Sequence, residues 1–213
     1  MTTRYTNEGI NAVATKLGVD LASVRAVIAV ETNGAGFYEE SPGVKVPKKL
    51  FERHVFYRLL KEGGKSGIAE DLYKKHPSIC NPRAGGYNTI PKKILGMNYV
   101  SSKATQEERL RFAGTFARQE AMEATSWGLP QIMGYHWKTL GLASLQVFIN
   151  RMYKSEDEQL LLMAEFILKH PSMHRALKER NWAKFASLYN GPNYKINNYD
   201  VKLANAYKMN GGK

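Results

Sequence analysis

Apolar residues recur at helical spacing along most of the chain. In residues 7–17 and again in residues 21–31, they lie three and four positions apart, as on one face of a helix. Gly18 can end the first helix and Asp20 can cap the second, which runs into Glu31. The same spacing predicts further helices over residues 50–61, 105–125, 145–152, 156–170, 181–189 and 199–208.

Capping residues support two of these helices. Ser144 precedes the helix predicted at 145–152. Ser155 precedes the next one and has Glu158 three positions on, which is the sequence pattern of a capping box. Both helices should therefore begin sharply.

Two segments break the helical pattern. Residues 37–49 contain Pro42, Gly43 and Pro47 and indicate a loop or a short β hairpin. Residues 63–99 are rich in Gly, Pro, Asn and Lys and indicate an irregular excursion or a small lobe. Strand signals are weak, and we find no repeat, low-complexity segment or Pro/Ser linker. We expect a mainly α fold with residues 1–213 forming a single domain.

Composition indicates the compartment in which the protein folds and the charge of its partner, but it does not identify that partner. The 213 residues include one cysteine, Cys80, so no internal disulfide can form and a reducing compartment is expected. No apolar run approaches the roughly 20 residues that cross a bilayer, and the N-terminus lacks the features of a secretory signal. The net charge of +12 predicts attraction to nucleic acid, anionic lipid or a bacterial envelope. The alternative is a soluble surface that is rich in lysine.

Glu31 is the acidic residue whose surroundings are most informative. It follows Ala-Val-Ile-Ala-Val at the last turn of a predicted helix. Apolar neighbours and the negative end of the helix dipole both raise the pKa of a carboxyl group, which favours a protonated acid near neutral pH. The alternative is a glutamate that simply ends a helix at the surface.

Glu52 is a second candidate acid. It lies between apolar residues in Leu50-Phe51-Glu52-Arg53-His54 and could line a cleft opposite Glu31. There it could activate a water molecule or stabilise developing positive charge. An ion pair with Arg53 or another basic residue is the competing interpretation.

Two turn segments carry groups suited to binding. Residues 125–134 contain Gly128, where a ligand can approach the backbone, and Ser126 and Gln131 offer hydrogen bonds suited to sugar hydroxyl and acetamide groups. Residues 187–192 end a helix in Tyr189-Asn190-Gly191-Pro192, and Tyr189 could position Glu31 or a ligand. Either segment alone could be only a turn.

The sequence gives little support for a metal site or for a nucleotide-binding site. His170 and His174 have a spacing that could hold a metal, but Pro171 lies between them and no third ligand is evident. No phosphate-binding loop or dinucleotide fingerprint occurs, so no metal or other cofactor is expected.

Taken together, these motifs resemble those of known protein families. Val30-Glu31-Thr32, Gly128-Leu-Pro-Gln-Ile132 and Tyr189-Asn-Gly191 occur in the order that resembles the goose-type lysozyme and soluble lytic transglycosylase superfamily. With residues 30–37, 50–57, 126–134 and 189–192, the chain looks still closer to the phage and prophage N-acetylmuramidase family. The resemblance covers about residues 26–207.

This resemblance implies a lysozyme-like domain with a cleft between two lobes that hydrolyses the β-1,4 bond between N-acetylmuramic acid and N-acetylglucosamine. It gives Glu31 the role of catalytic acid and gives Gln131, Tyr189 and Asn190 roles in the cleft. Pro130 stands where the transglycosylases usually have Met, which favours hydrolysis over their non-hydrolytic reaction.

The setting and the rival functions follow from the same resemblance. We expect a monomer that acts on peptidoglycan, is held on the anionic envelope by its basic surface, and leaves the host cytoplasm through a holin-like pore. It should neither bind nucleic acid nor insert stably in a membrane. The rivals are a lytic transglycosylase, which forms 1,6-anhydro products, and a non-catalytic basic protein that binds wall or nucleic acid.

Overall fold

Helices dominate the computed structural model, which describes residues 4–32, 34–85, 93–94, 97–98 and 106–213. They are α1 (Asn7–Leu17), α2 (Leu21–Glu31), α3 (Arg53–Glu62), α4 (Ser66–Lys75), α5 (Gln106–Glu123), α6 (Leu145–Lys154), α7 (Glu156–Leu168), α8 (Pro171–Lys178), α9 (Trp182–Asn190) and α10 (Tyr199–Met209). The mainly α prediction is confirmed. Within the described ranges, no helix is long and apolar enough to cross a membrane.

The strands are short and antiparallel. They are β1 (Phe37–Ser41), β2 (Val44–Pro47), β3 (Lys49–Phe51), β4 (Lys93–Ile94), β5 (Met97–Asn98), β6 (Thr125–Trp127) and β7 (Ile132–Met133). β1 and β2 form the hairpin anticipated after α2, and β4 pairs with β5. β3, β6 and β7 form a three-stranded sheet in which Ser126 lies opposite Leu50 on one side and Met133 on the other.

Local capping sets the helix starts that the sequence predicted. Asp20 accepts the Ser23 N–H at 2.6 Å, and the hydroxyls of Ser144 and Ser155 accept backbone N–H groups three residues on. Each such cap contributes about 1 kcal/mol. The capping-box prediction is only half right, because the Glu158 carboxylate pairs with Arg151 and Lys154.

Two predicted helices are shorter in the structure, because residues assigned to them lie in strands of the β3-β6-β7 sheet. The helix expected at 50–61 begins only at Arg53, since Leu50 and Phe51 pair with β6 and the Glu52 N–H extends the ladder to the Ala124 carbonyl at 2.9 Å. The helix expected at 105–125 ends at Glu123 and is kinked at Ala117, where φ is −158° and ψ is 87°.

Two helices were missed. α4 lies within the segment expected to be irregular, and α8 follows directly on α7. α4 buries only Ala69 and Leu72, so its periodic signal is weak. α8 begins at Pro171, and a proline that looked like a helix stop is favourable at a first helical position.

The apolar interior of the described residues consists of two large clusters and a small third one of Ala22, Ala26 and Tyr207. One gathers side chains of α3, α4, α5, α6 and the central sheet, and the other gathers those of α1, α2 and α7–α10. α7 contributes to both, with Leu162 in the first cluster and Leu160 and Met163 in the second. Truncating a buried leucine of this kind costs about 2–5 kcal/mol. The two large clusters therefore meet at α7.

Candidate active site

Glu31 is the last residue of α2 and is half-buried. Val27 and Ile28, on the preceding turn, are buried. Burial raises the pKa of the Glu31 carboxyl group to about 7, against the opposing effect of a hydrogen bond from Asn190. A large fraction of Glu31 therefore holds its proton at neutral pH, which is the state that can donate it.

The end of α9 contacts both Glu31 and the turn at residues 128–131. The Asn190 side-chain amide donates to Glu31 Oε1 at 2.9 Å. The Tyr189 hydroxyl donates to the Pro130 carbonyl at 3.3 Å, and its ring stacks on Phe185. Burial first, and then the charge of Glu31, hold the pKa of Tyr189 far above its usual range, so it remains a neutral donor. Tyr189 and Asn190 thus connect Glu31 to the turn at residues 128–131.

That turn has an unusual backbone. Gly128 and Gln131 both have left-handed φ values, of 70° and 51°, and such a conformation is costly for glutamine. The Gln131 amide group supports it by donating to the Gly128 carbonyl at 2.7 Å and accepting from Ser126 Oγ at 2.9 Å. A side-chain amide nitrogen carries two N–H donors, and within the described part of the chain only one of those of Gln131 has an acceptor.

Ser126 reaches the site through Gln131. Strand alternation places its side chain on the face opposite to those of Thr125 and Trp127, and the residue is only 5% exposed. Its hydroxyl lies 2.9 Å from Gln131 Oε1 and 3.4 Å from the Leu50 carbonyl. Ser126, predicted to bind a ligand, thus contacts Gln131, the other predicted binding residue of this segment.

Glu52 lies between β3 and α3 and is half-buried. Strand alternation puts it on the same face as Leu50, and hence as Ser126. Its Oε2 is 3.3 Å from His54 Nδ1. Arg53, the ion-pair partner considered above, instead donates to the carbonyls of Pro77, Arg83 and Ala84.

Two buried polar residues of α7 escaped the sequence analysis. Glu156 accepts the Gly36 N–H at 2.7 Å, and Gln159 accepts the Leu129 N–H at 2.7 Å. Gly36 lies in the segment that follows Glu31, and Leu129 lies in the turn that carries Gln131. An acidic residue in the first turn of a helix resembles an ordinary surface cap, so the sequence carries no signal for this role.

The histidines at 170 and 174 make structural contacts. His170 Nδ1 lies 2.7 Å from the Phe166 carbonyl, and His174 Nε2 lies 2.6 Å from the Leu17 carbonyl. In the part of the chain that the structure describes, no three His, Cys, Asp or Glu side chains are grouped as metal ligands.

Two comparisons with known proteins gave matches. A family model described as N-acetylmuramidase matches residues 20–210. Among solved structures, the crystal structure of Burkholderia AP3 phage endolysin is 39% identical in sequence, with a TM-score of 0.83. The alignment covers 98% of this chain and 72% of that one. A search of curated proteins gave no match.

Proposed function

Since the chain belongs to the N-acetylmuramidase family, we propose that it is an endolysin that cleaves the β-1,4 bond between N-acetylmuramic acid and N-acetylglucosamine, with Glu31 as the acid. The class of activity follows from the family and from the similar phage endolysin: the chain is a muramidase-type glycoside hydrolase of peptidoglycan. The observation that carries the residue assignment is the half-buried position of Glu31 at the end of α2, where Asn190 donates to its Oε1 at 2.9 Å and burial raises its pKa to about 7.

The first step of the proposed reaction is proton donation. Protonated Glu31 gives its proton to the glycosidic oxygen as the bond to the sugar carbon breaks, and positive charge develops on that sugar. Asn190 orients Glu31 Oε1 through its hydrogen bond. This bond also stabilises the carboxylate that remains after the proton has left.

Water completes the reaction. We assign Glu52 the task of assisting a water molecule that attacks the sugar carbon, because it shares a sheet face with the Ser126–Gln131 pair. An alternative role for Glu52 is purely structural, through its contact with His54. The second N–H of Gln131 and the polar groups of Asn190 are the proposed contacts to sugar hydroxyl and acetamide groups, with Tyr189 fixing the turn.

The proposed activity also implies in what form and where the protein acts. We propose that residues 1–213 act as one catalytic domain, that the protein works as a monomer, and that it reaches the wall after holin-type release. The net charge of +12 favours attachment to the anionic envelope. None of these steps uses a metal or another cofactor.

The test is Glu31→Gln, which keeps the shape of the side chain and removes the proton. Turnover of purified peptidoglycan should fall by about 10²–10⁴-fold, the usual contribution of general acid catalysis. The fold should survive. Because burial raises the pKa of Glu31 from 4.5 to about 7, the wild-type protein loses stability as the pH rises between these two values, whereas the variant does not. The variant should therefore melt at or above the wild-type temperature at pH 8 and lose this advantage near pH 4. Near-normal turnover in the folded variant would refute the assignment.

A further inference from the structure

We infer that Glu156 and Gln159 are positioning residues for the reaction: from beneath the site, they set the spacing between the segment that follows Glu31 and the turn that carries Gln131. This inference rests on the proposed function of Glu31. It assigns a task in catalysis to the first turn of α7, which contains neither a proposed catalytic residue nor a proposed substrate contact.

The two side chains are placed as neighbours by their helix. Glu156 and Gln159 are three residues apart in α7, so they share one face. They are 2% and 0% exposed. Polar groups buried to this extent destabilise a protein when they lack partners, so what they bind explains their presence.

Glu156 holds two chain segments by their backbones. Its Oε1 accepts the Gly36 N–H at 2.7 Å, and its Oε2 accepts the Tyr5 N–H at 3.0 Å. Among the described residues, no Lys or Arg forms an ion pair with it. The two N–H donors and the positive end of the α7 dipole therefore stabilise the carboxylate.

Gln159 lies between the segment that contains Gly36 and the turn at residues 128–131. Its Oε1 accepts the Leu129 N–H at 2.7 Å and its Nε2 donates to the Met152 carbonyl at 2.8 Å. A Cβ atom added to Gly128 would lie 2.8 Å from Gln159 Cδ, and one added to Gly36 would collide with Gln159 Oε1. Both segments thus rest against the same amide group.

The backbone of Lys48 ties the two segments together on their other side. Its N–H donates to the Gly36 carbonyl at 2.8 Å, and its carbonyl accepts the Gly128 N–H at 2.7 Å. Gly36 and the 128–129 peptide are therefore held from two sides. Displacing either by about 1 Å can cost up to ~10²-fold in rate when the displaced groups orient the reaction.

The experiment compares Gln159→Met with a control from the same helical turn. Methionine fills a similar volume but cannot accept the Leu129 N–H, and Glu156→Gln serves as a milder second variant. The control is Asp157→Asn, because Asp157 binds the backbone and hydroxyl of Thr6 and neither segment of the site. All variants are assayed on peptidoglycan well below their melting temperatures.

We expect Gln159→Met to lower kcat by about 10- to 100-fold with little change in KM. Activity should decline at high pH, where Glu31 loses its proton. In Gln159→Met this decline should begin at a lower pH, because a relaxed backbone admits water to Glu31 and lets its pKa fall. Asp157→Asn should change the melting temperature only. If Gln159→Met and Glu156→Gln keep the wild-type kcat and pH profile while Glu31→Gln is inactive, the inference fails alone. If Glu31→Gln is active, the proposed function fails instead.

Discussion

At the scale of single residues, the state of Glu31 reflects two opposing effects. Burial keeps the proton on the carboxyl group, while the Asn190 amide favours its release. The sequence predicted the first effect from the apolar run before Glu31. It could not predict the second, because Asn190 is distant in sequence and reaches Glu31 only through the packing of α9.

Asn190→Ala should move the high-pH limb of activity upward. Without the donor, the carboxylate loses a partner and the pKa of Glu31 rises further above its ordinary value. A hydrogen bond to a charged group contributes about 1.5–3 kcal/mol, so the shift should be about one pH unit or more. The exposed neighbour Asn193→Ala is the control. An unchanged or downward-shifted limb in Asn190→Ala would show that the hydrogen bond does not set the pKa.

Glu52→Gln separates the two interpretations of the second acid. If Glu52 assists water, turnover falls while the melting temperature stays the same. If its contact with His54 is only structural, the melting temperature falls and turnover is retained. Glu62→Gln, a change in an exposed pair with Arg58, controls for the loss of a charge. The second pattern would leave Glu31 as the only essential acid.

At the scale of elements, the turn at 128–131 depends on glycine. Gly128 has φ of 70°, and a side chain there would meet Gln159 Cδ and Met152 Sδ, both at 2.8 Å. Gly128→Ala should therefore lower stability by about 1–3 kcal/mol and abolish most activity. Gly67→Ala, in α4 with open space around it, should instead stabilise the protein by up to about 1 kcal/mol. Urea unfolding of both variants tests the pair, and equal effects would contradict it.

The elements also show which information the sequence holds. Asp20, Ser144 and Ser155 were identified as caps because a cap depends on residues three positions away. Leu50 and Phe51 were assigned to a helix because their strand depends on Ser126 and Thr125, which are distant in sequence. The hydrogen bond from the Ser126 hydroxyl to Gln131 could not be predicted either, because it depends on the fold of the turn at 128–131. Local patterns fixed the helix starts, whereas non-local pairing determined the sheet.

At the scale of the whole molecule, charge should govern attachment to the substrate. A protein with a net charge of +12 is attracted to an anionic wall, and the Debye length shrinks to ~3 Å at 1 M salt. Lysis rates should therefore fall as salt rises, while turnover of a short neutral glycan fragment changes little. Rates of lysis that stay flat from low to high salt would remove any role for the charge.

The predicted fold class is confirmed, whereas the roles of the site residues remain predictions. Helical periodicity was enough for a mainly α molecule, and the ordered motifs around Glu31, Gln131 and Asn190 led to the correct family. The division of the interior into two large apolar clusters, and the polar contacts of Glu156 and Gln159 near their junction in α7, depend on packing that no local pattern encodes.

Mass spectrometry of digested peptidoglycan tests the central claim most directly. A hydrolase adds water to the cleaved bond, so the wild-type protein should release fragments that end in reducing N-acetylmuramic acid, and Glu31→Gln should release almost none. Fragments that end in 1,6-anhydromuramic acid, lighter by one water, would show a lytic transglycosylase. Reducing N-acetylmuramic ends formed equally well by Glu31→Gln would contradict the role of Glu31.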